Sequence, residues 1–363
     1  MQVARRLAGS GLAAAGFVAA VIGFGASAQA AETVKIGFVS GYPPAASWID
    51  SFINHYVPAV DKKLAETGKY KIEWNLAHSG QVVKPRGELE AVQTGLADMG
   101  IVVTAFHLDR MPHYGISYYT PFVTTDMLLV GKTVSAMETK FPQFQQGWAK
   151  LGQTSIVSTT PVDDYQVISK VPITKLEDMK GMKISAAGPN LIWVTSVGAT
   201  GITSALTDWY QHLNTGISEA VIGWSEAMGN FKLCEPAKYM LDADITAVQA
   251  HTLNVNLDFW KTVPEEVKQA ILGATPVHQQ NSARLVAEGA VRGQKNCTEQ
   301  LGLKISRLSP EDRQKWADAL PPVGKNWAAD LEKQGIPGKE FLTFYMDAMR
   351  AANQPIARHW DRD

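Results

Sequence analysis

Cysteine is almost missing: only Cys234 and Cys297 occur in 363 residues. Neither has CxxC spacing and no Cys/His cluster accompanies them, which excludes a zinc module and a dithiol redox motif. An oxidising compartment permits a bridge between the two, and two separate thiols are the alternative, because spacing alone does not bring sulfurs together. Charge of one sign is also lacking, with 34 Lys and Arg against 35 Asp and Glu. Without a basic stripe there is nothing to neutralise phosphates, so neither a nucleic acid nor an anionic membrane is expected as a partner. Past residue 30 no apolar run reaches the roughly 20 residues of a spanning helix. The phosphate loop GxxxxGK[ST] and the zinc helix HExxH are absent, and Gly198-Ala-Thr-Gly201 lacks GxGxxG spacing.

What is present begins with a leader. Arg5 and Arg6 precede a short apolar run from Leu12 to Gly25, and Ala28-Gln29-Ala30 is a small-x-small cleavage pattern. Residues 1–30 are therefore expected to be a cleaved signal peptide, leaving a periplasmic chain with no direct membrane insertion. That chain is 45% hydrophobic and 19% charged over the full sequence, as suits a compact globule, and is long enough for two domains.

Hydrophobic periodicity gives the organisation. Thr33 to Val39 reads as a strand and Gly41-Tyr42-Pro43-Pro44 as a turn, with Ser47 the expected N-cap of the next helix. Tyr70 to Leu76 and Gly100 to Ala105 read as strands around a helix from Glu88. The pattern restarts with strands at Thr154 to Thr159, Asp164 to Ser169, Met182 to Ala186 and Ala220 to Trp224, with helices between. Alternation of this kind predicts α/β lobes. A long helical stretch runs from about Pro264 to Leu301, with Pro276 expected to kink it, and three further helices follow.

Few residues look chemical. Gly223-Trp-Ser225-Glu-Ala227 resembles a nucleophile elbow with Ala at the last position, so a secreted serine hydrolase using Ser225 stays open as an alternative. His107 and His113 do not share a helical face. Asp163-Asp164 is either a solvated turn or an anchor for a cation or hydroxyl. The ten tryptophans say more, because Trp48, Trp193, Trp209 and Trp224 lie beside turns or early in helices, where aromatics line clefts. Trp224 ends a short strand, the place where α/β folds open a binding crevice.

A resemblance joins these pieces. Glu88-Leu-Glu-Ala-Val-Gln93-Thr-Gly95-Leu-Ala-Asp98, Leu176-Glu-Asp178-Met-Lys-Gly181-Met-Lys183-Ile184, the helix Asp208 to Gly216, Trp224-Ser225-Glu226 with Phe231 to Tyr239, and Phe259 to Lys268 resemble, in order, segments of the solute receptors of TRAP (tripartite ATP-independent periplasmic) transporters. The resemblance implies a bilobed periplasmic-binding-protein fold: two α/β lobes joined by a hinge, with a long helix crossing both. Lobe one would hold 31–158 and about 247–285; lobe two would hold 159–246 and about 286–363 with the C-terminal helices. It also implies a receptor, not an enzyme, that needs no cofactor or metal, takes a small organic solute between its lobes and delivers it to a membrane permease. A receptor for an ATP-driven importer is the alternative.

The departures from the family pattern concern the ligand. The family's carboxylate-clamping arginines would fall at Ser185 and near Tyr165. A guanidinium clamps a carboxylate bidentately, and neither replacement does. The expected solute is therefore neutral, aromatic or hydroxylated, or cationic, unless Arg86 or Lys84 supplies the charge. Expected contacts from lobe one are Tyr42, Trp48, His78, Gln81, Arg86, Thr104, Phe106 and Phe122, with Asn254 where the chain returns to that lobe. From lobe two they are Tyr165, Ser185, Asn190, Trp193, Leu206, Trp224 and Glu226.

Overall fold

The computed structural model describes residues 30–363; the leader expected at 1–30 lies almost wholly outside the described residues. Two sheets organise the chain. The first runs β2 (Tyr70–Ala77), β1 (Glu32–Val39), β3 (Met99–Val103), β10 (Val248–Asn256), β4 (Gln153–Val162). The second runs β11 (Lys304–Arg307), β9 (Tyr239–Asp242), β5 (Tyr165–Ser169), β8 (Ala220–Trp224), β6 (Lys183–Ala186), β7 (Thr200–Thr203). β1 pairs in parallel with β2 and β3, and β6 with β7 and β8, as strand–helix–strand units require.

The chain crosses between the sheets three times: by two short hinge crossings, from β4 to β5 through Asp163-Asp164 and from β9 to β10, and once from β10 to β11 through the helices between them. The two hinge crossings touch, since Tyr165 N donates to Thr246 O at 3.1 Å. β10 runs antiparallel to both of its neighbours and is buried along all nine residues. Two of its asparagines bond inside: Asn254 Nδ2 donates to Gln153 Oε1 and Asn256 Nδ2 to Val92 O, both at 2.8 Å.

The stretch expected as one kinked helix is two. Helix Glu265–Gly273 ends, and helix Thr275–Glu299 starts with Pro276 in its first turn, where a missing N–H costs nothing. The second helix packs against Ser47–Ser51 of the first lobe and Ser225–Asn230 of the second. Glycines set the latter contact: a Cβ on Gly229 would stand 2.4 Å from Gly293 Cα, and one on Gly289 would stand 2.8 Å from Glu226 Cγ. Cys234 and Cys297 form a disulfide that ties the same helix to the segment after Ser225–Asn230.

Helices Pro310–Ala319, Val323–Lys333 and Gly338–Ala351 close the chain. Indole N–H groups from this C-terminal part reach both lobes, Trp316 to Trp193 O at 2.7 Å and Trp327 to Pro112 O and Trp360 to Pro121 O at 2.8 Å. Ser47 is the first helical residue and not the expected N-cap; Ala46 holds that place.

Candidate functional site

Between the sheets lies a chamber walled by aromatic rings. Trp48 comes from helix Ser47–Ser51 and Trp224 from the end of β8, and they face each other with ring centroids 6.4 Å apart. Tyr42 meets Trp48 edge-on at 5.4 Å, while Tyr165 and Trp209 flank Trp224 at 5.4 and 5.9 Å. Phe106, Tyr118, Leu206, Ser204, Ala250 and His251 complete most of the lining. The His251 ring stacks on Trp48 at 3.9 Å.

The chamber offers a water molecule's centre only about 30 Å³. A crevice at its mouth, lined by Gly41, Lys84, Pro85 and Arg86 on one side and Ser204, Ala205, Thr207 and Asp208 on the other, offers about 780 Å³ on the same measure. Ser204 lines both. The lobes are thus closed over a narrow apolar chamber with a wide polar mouth.

Local sequence builds the mouth. Gly41 is required, because a Cβ there would stand 2.1 Å from Pro85 N. Glu88 Oε1 accepts from Gly41 N at 2.8 Å and pins the turn Lys84–Gly87 against it. Arg86 sits at φ +82°, a conformation that side chains rarely adopt, and its guanidinium lies 4.3 Å from the Phe106 centroid. Burial raises the Glu88 carboxyl to about 7, although the Gly41 N–H bond opposes the rise.

Carboxylates stand behind the aromatic wall. Glu226 Oε2 accepts from Trp224 Nε1 at 2.8 Å, and Oε1 accepts from Ser47 Oγ at 2.5 Å and Asn230 Nδ2 at 2.6 Å. Asn230 Nδ2 also reaches Ala45 O at 3.0 Å. The Ser47 and Ala45 bonds run from one lobe to the other. Asp163 caps the same helix by accepting from the Glu226 backbone N–H, and its Oδ1 is buried without a partner. Burial, then the charge of Glu226, pushes the Asp163 carboxyl well up; burial also raises Glu226, against the bonds it accepts. Among the described residues no lysine or arginine pairs with Glu88, Asp163 or Glu226.

Of the residues singled out in the sequence, Tyr42, Trp48, Phe106, Tyr165, Leu206 and Trp224 converge on the chamber, and Arg86 lies at its mouth. The others are placed elsewhere. His78 and Gln81 bond within their own turn. Thr104 donates to Ala250 O, and Phe122 packs on Trp316. Ser185 Oγ lies 2.9 Å from His212 Nδ1, against helix Leu206–Thr215. Trp193 donates to Tyr118 O and backs Tyr165 edge-on, while Asn190 approaches the Tyr165 hydroxyl. Asn254 is held inside the first sheet, and Glu226 is engaged by three donors rather than open to a solute. Sequence reasoning missed Tyr118 and His251. The first sits in an aromatic-rich stretch with no periodic signal, and the second in β10, whose mixed polarity hides a strand.

Ser225 does not assemble a hydrolase. His251 stacks on Trp48 and His278 Nδ1 lies 3.0 Å from Ser51 Oγ, so neither imidazole attends Ser225. Asp242 and Asp244 pair with Arg307. Asp164 joins these two aspartates in an acidic group that Arg307 and Arg313 already face.

The profile of the family described as "Bacterial extracellular solute-binding protein, family 7" (DctP) matches residues 53–334. Solved structures agree in fold. A Bordetella pertussis extracytoplasmic solute receptor binding pyroglutamic acid superposes with TM-score 0.74 at 20% identity over 88% of this chain and 100% of that one. A TRAP periplasmic solute-binding protein from Desulfovibrio salexigens with bound orotic acid gives 0.74 at 17% identity over 87% and 99%. One from Pseudomonas putida F1 with bound D-glucuronate gives 0.69 at 15% identity over 85% and 96%. Two α/β lobes, two hinge crossings, a helix packed on both lobes and a match over most of the length lead to one conclusion: this chain belongs to family 7 of the bacterial extracellular solute-binding proteins, the solute receptors of TRAP-type transporters.

Proposed function

We propose that this receptor works in the periplasm, captures a small organic solute in the chamber between Trp48 and Trp224, and delivers it to the membrane permease of its transporter without chemical change. The observation that carries the reading is the meeting of seven aromatic side chains from both lobes around one enclosed space. Aromatic faces give large contact area at small entropic cost, and contacts made from both sides exist only when the lobes are closed. The solute thereby selects the closed state that a permease can recognise. Phe106, Tyr42, Tyr165 and Leu206 complete its contacts, and Arg86 guards the entrance.

Recognition here does not follow the arginine clamp that the family resemblance implies. Ser185 is turned into a bond with His212, and Tyr165 offers a ring and a hydroxyl. A carboxylate pressed into the inner chamber would meet no guanidinium and lose several kcal/mol of solvation.

Tryptophan emission tests this reading, since Trp48, Trp209 and Trp224 line the chamber. Extraction of the purified protein should yield a co-purified small organic compound, and its re-addition to unfolded and refolded protein should shift the emission. Trp224→Ala should abolish the shift. No extractable compound, and no response to a panel of organic acids, alcohols and amines, would overturn the reading.

A further inference from the structure

The chamber is electrically lopsided, and the imbalance names a ligand class. Its inner wall is lined by the rings of Trp48, Trp224, Trp209, Tyr42 and Tyr165. The negative face of an aromatic ring attracts a cation, more strongly when the pair is desolvated. Behind Trp224 and Tyr165 stand Glu226 and Asp163, buried and unpaired by any lysine or arginine among the described residues. The nearest cations, Lys84 and Arg86, stand at the mouth, where Asp208 faces them from the other lobe.

Two further features sharpen the picture. Trp224 donates its indole N–H to the Glu226 carboxylate at 2.8 Å, which pushes electron density onto the ring and strengthens its negative face. Trp48 Nε1, by contrast, is a buried donor without any partner in the protein. A buried donor left without an acceptor destabilises the fold, so the occupant gains by bringing an acceptor to it.

Resting on the receptor reading above, we propose that the solute is a compact organic ammonium compound carrying an oxygen acceptor. Its cationic head lies against the rings of Trp48, Trp224 and Tyr165 with Asp163 and Glu226 behind them. Its oxygen receives the Trp48 indole N–H. The missing clamp at Ser185 and Tyr165 then has a reason: a guanidinium at the inner wall would repel the head group.

Calorimetric titration of the full exported protein tests this with two probes of one shape, choline and its neutral carbon isostere 3,3-dimethyl-1-butanol. Choline should bind at least tenfold more tightly. Asp163→Asn should erase most of the preference, and Trp224→Leu should weaken choline more than Trp224→Phe does. Equal or tighter binding of the isostere overturns the inference. So does binding of succinate or benzoate alone, an outcome that leaves the receptor reading standing. Silence to ammonium compounds, acids and alcohols alike, with a normal unfolding transition, overturns both.

Discussion

Ser47 Oγ donates to Glu226 Oε1 at 2.5 Å across the lobe boundary. Ser47 sits one residue before Trp48 and Glu226 two residues after Trp224, so the bond draws together the two elements that carry the facing indoles. It is buried and charge-assisted, a class worth roughly 1.5–3 kcal/mol. Ser47→Ala should loosen closure and leave Glu226 short of a donor. Solute affinity should fall about tenfold, the equivalent of 1.4 kcal/mol, and small-angle scattering should show a larger radius of gyration without solute. Unchanged scattering and affinity would mean that the bond holds no closure energy.

Glu88 ties pH to stability. Its carboxyl is raised from 4.5 to about 7 by burial, so the folded state holds a proton that the unfolded chain releases earlier. The contribution is then fully present below about pH 4.5 and is lost as pH rises through about 7. The full span amounts to roughly 3 kcal/mol. Glu88→Gln keeps an acceptor for Gly41 N–H and removes the titration. Urea unfolding between pH 5 and 8 should show a flatter stability profile in this variant. An identical slope in both proteins would contradict the assignment.

The disulfide closes a loop spanning 63 residues of sequence separation. In the chain-entropy account such a cross-link removes about 4 kcal/mol of unfolded-state freedom. The paired Cys234→Ala and Cys297→Ala variant should therefore melt several degrees lower, whereas a reductant should leave the melting of that variant unmoved.

Gly229 and Gly293 let two helices touch backbone to backbone. Gly229→Ala places a methyl 2.4 Å from Gly293 Cα, a contact that neither backbone relieves by a rotamer change. Overpacking of this kind costs about 1–3 kcal/mol. Since helix Ser225–Asn230 also carries Glu226, the variant should lose solute affinity together with thermal stability. Loss of stability alone would separate the helix contact from closure.

Much of the fold was legible in the chain. The strands Glu32–Val39, Tyr70–Ala77, Met99–Val103 and Ala220–Trp224 announce themselves by apolar runs or alternation between turn residues, and the three C-terminal helices by their period. β10 did not. Residues such as His251, Asn254 and Asn256 break the apolar run, and a single sequence does not show that a neighbouring strand or loop will bond the two asparagines. Helices Met127–Lys140 and Gln143–Lys150 also escaped notice. In the site, the ring residues were legible, because a large aromatic beside a turn has few reasons to be there. Glu226 was legible as an acid near the cleft, yet its bonds were not.

By itself the sequence determined an α/β chain and the lack of the catalytic motifs sought, and it raised the expectations of an export leader, of two lobes and of missing clamp arginines at Ser185 and near Tyr165. These are matters of composition, short-range periodicity and residue identity, which act over a few positions of chain. Only the tertiary structure decided that Trp48 faces Trp224, that Glu226 turns to Ser47 and Asn230, that His251 stacks on an indole and that Cys234 meets Cys297. Each of those contacts joins elements far apart in the chain. Each exists because two hinge crossings and one long helix fold the second sheet against the first, so that burial energy selects partners that no local pattern names.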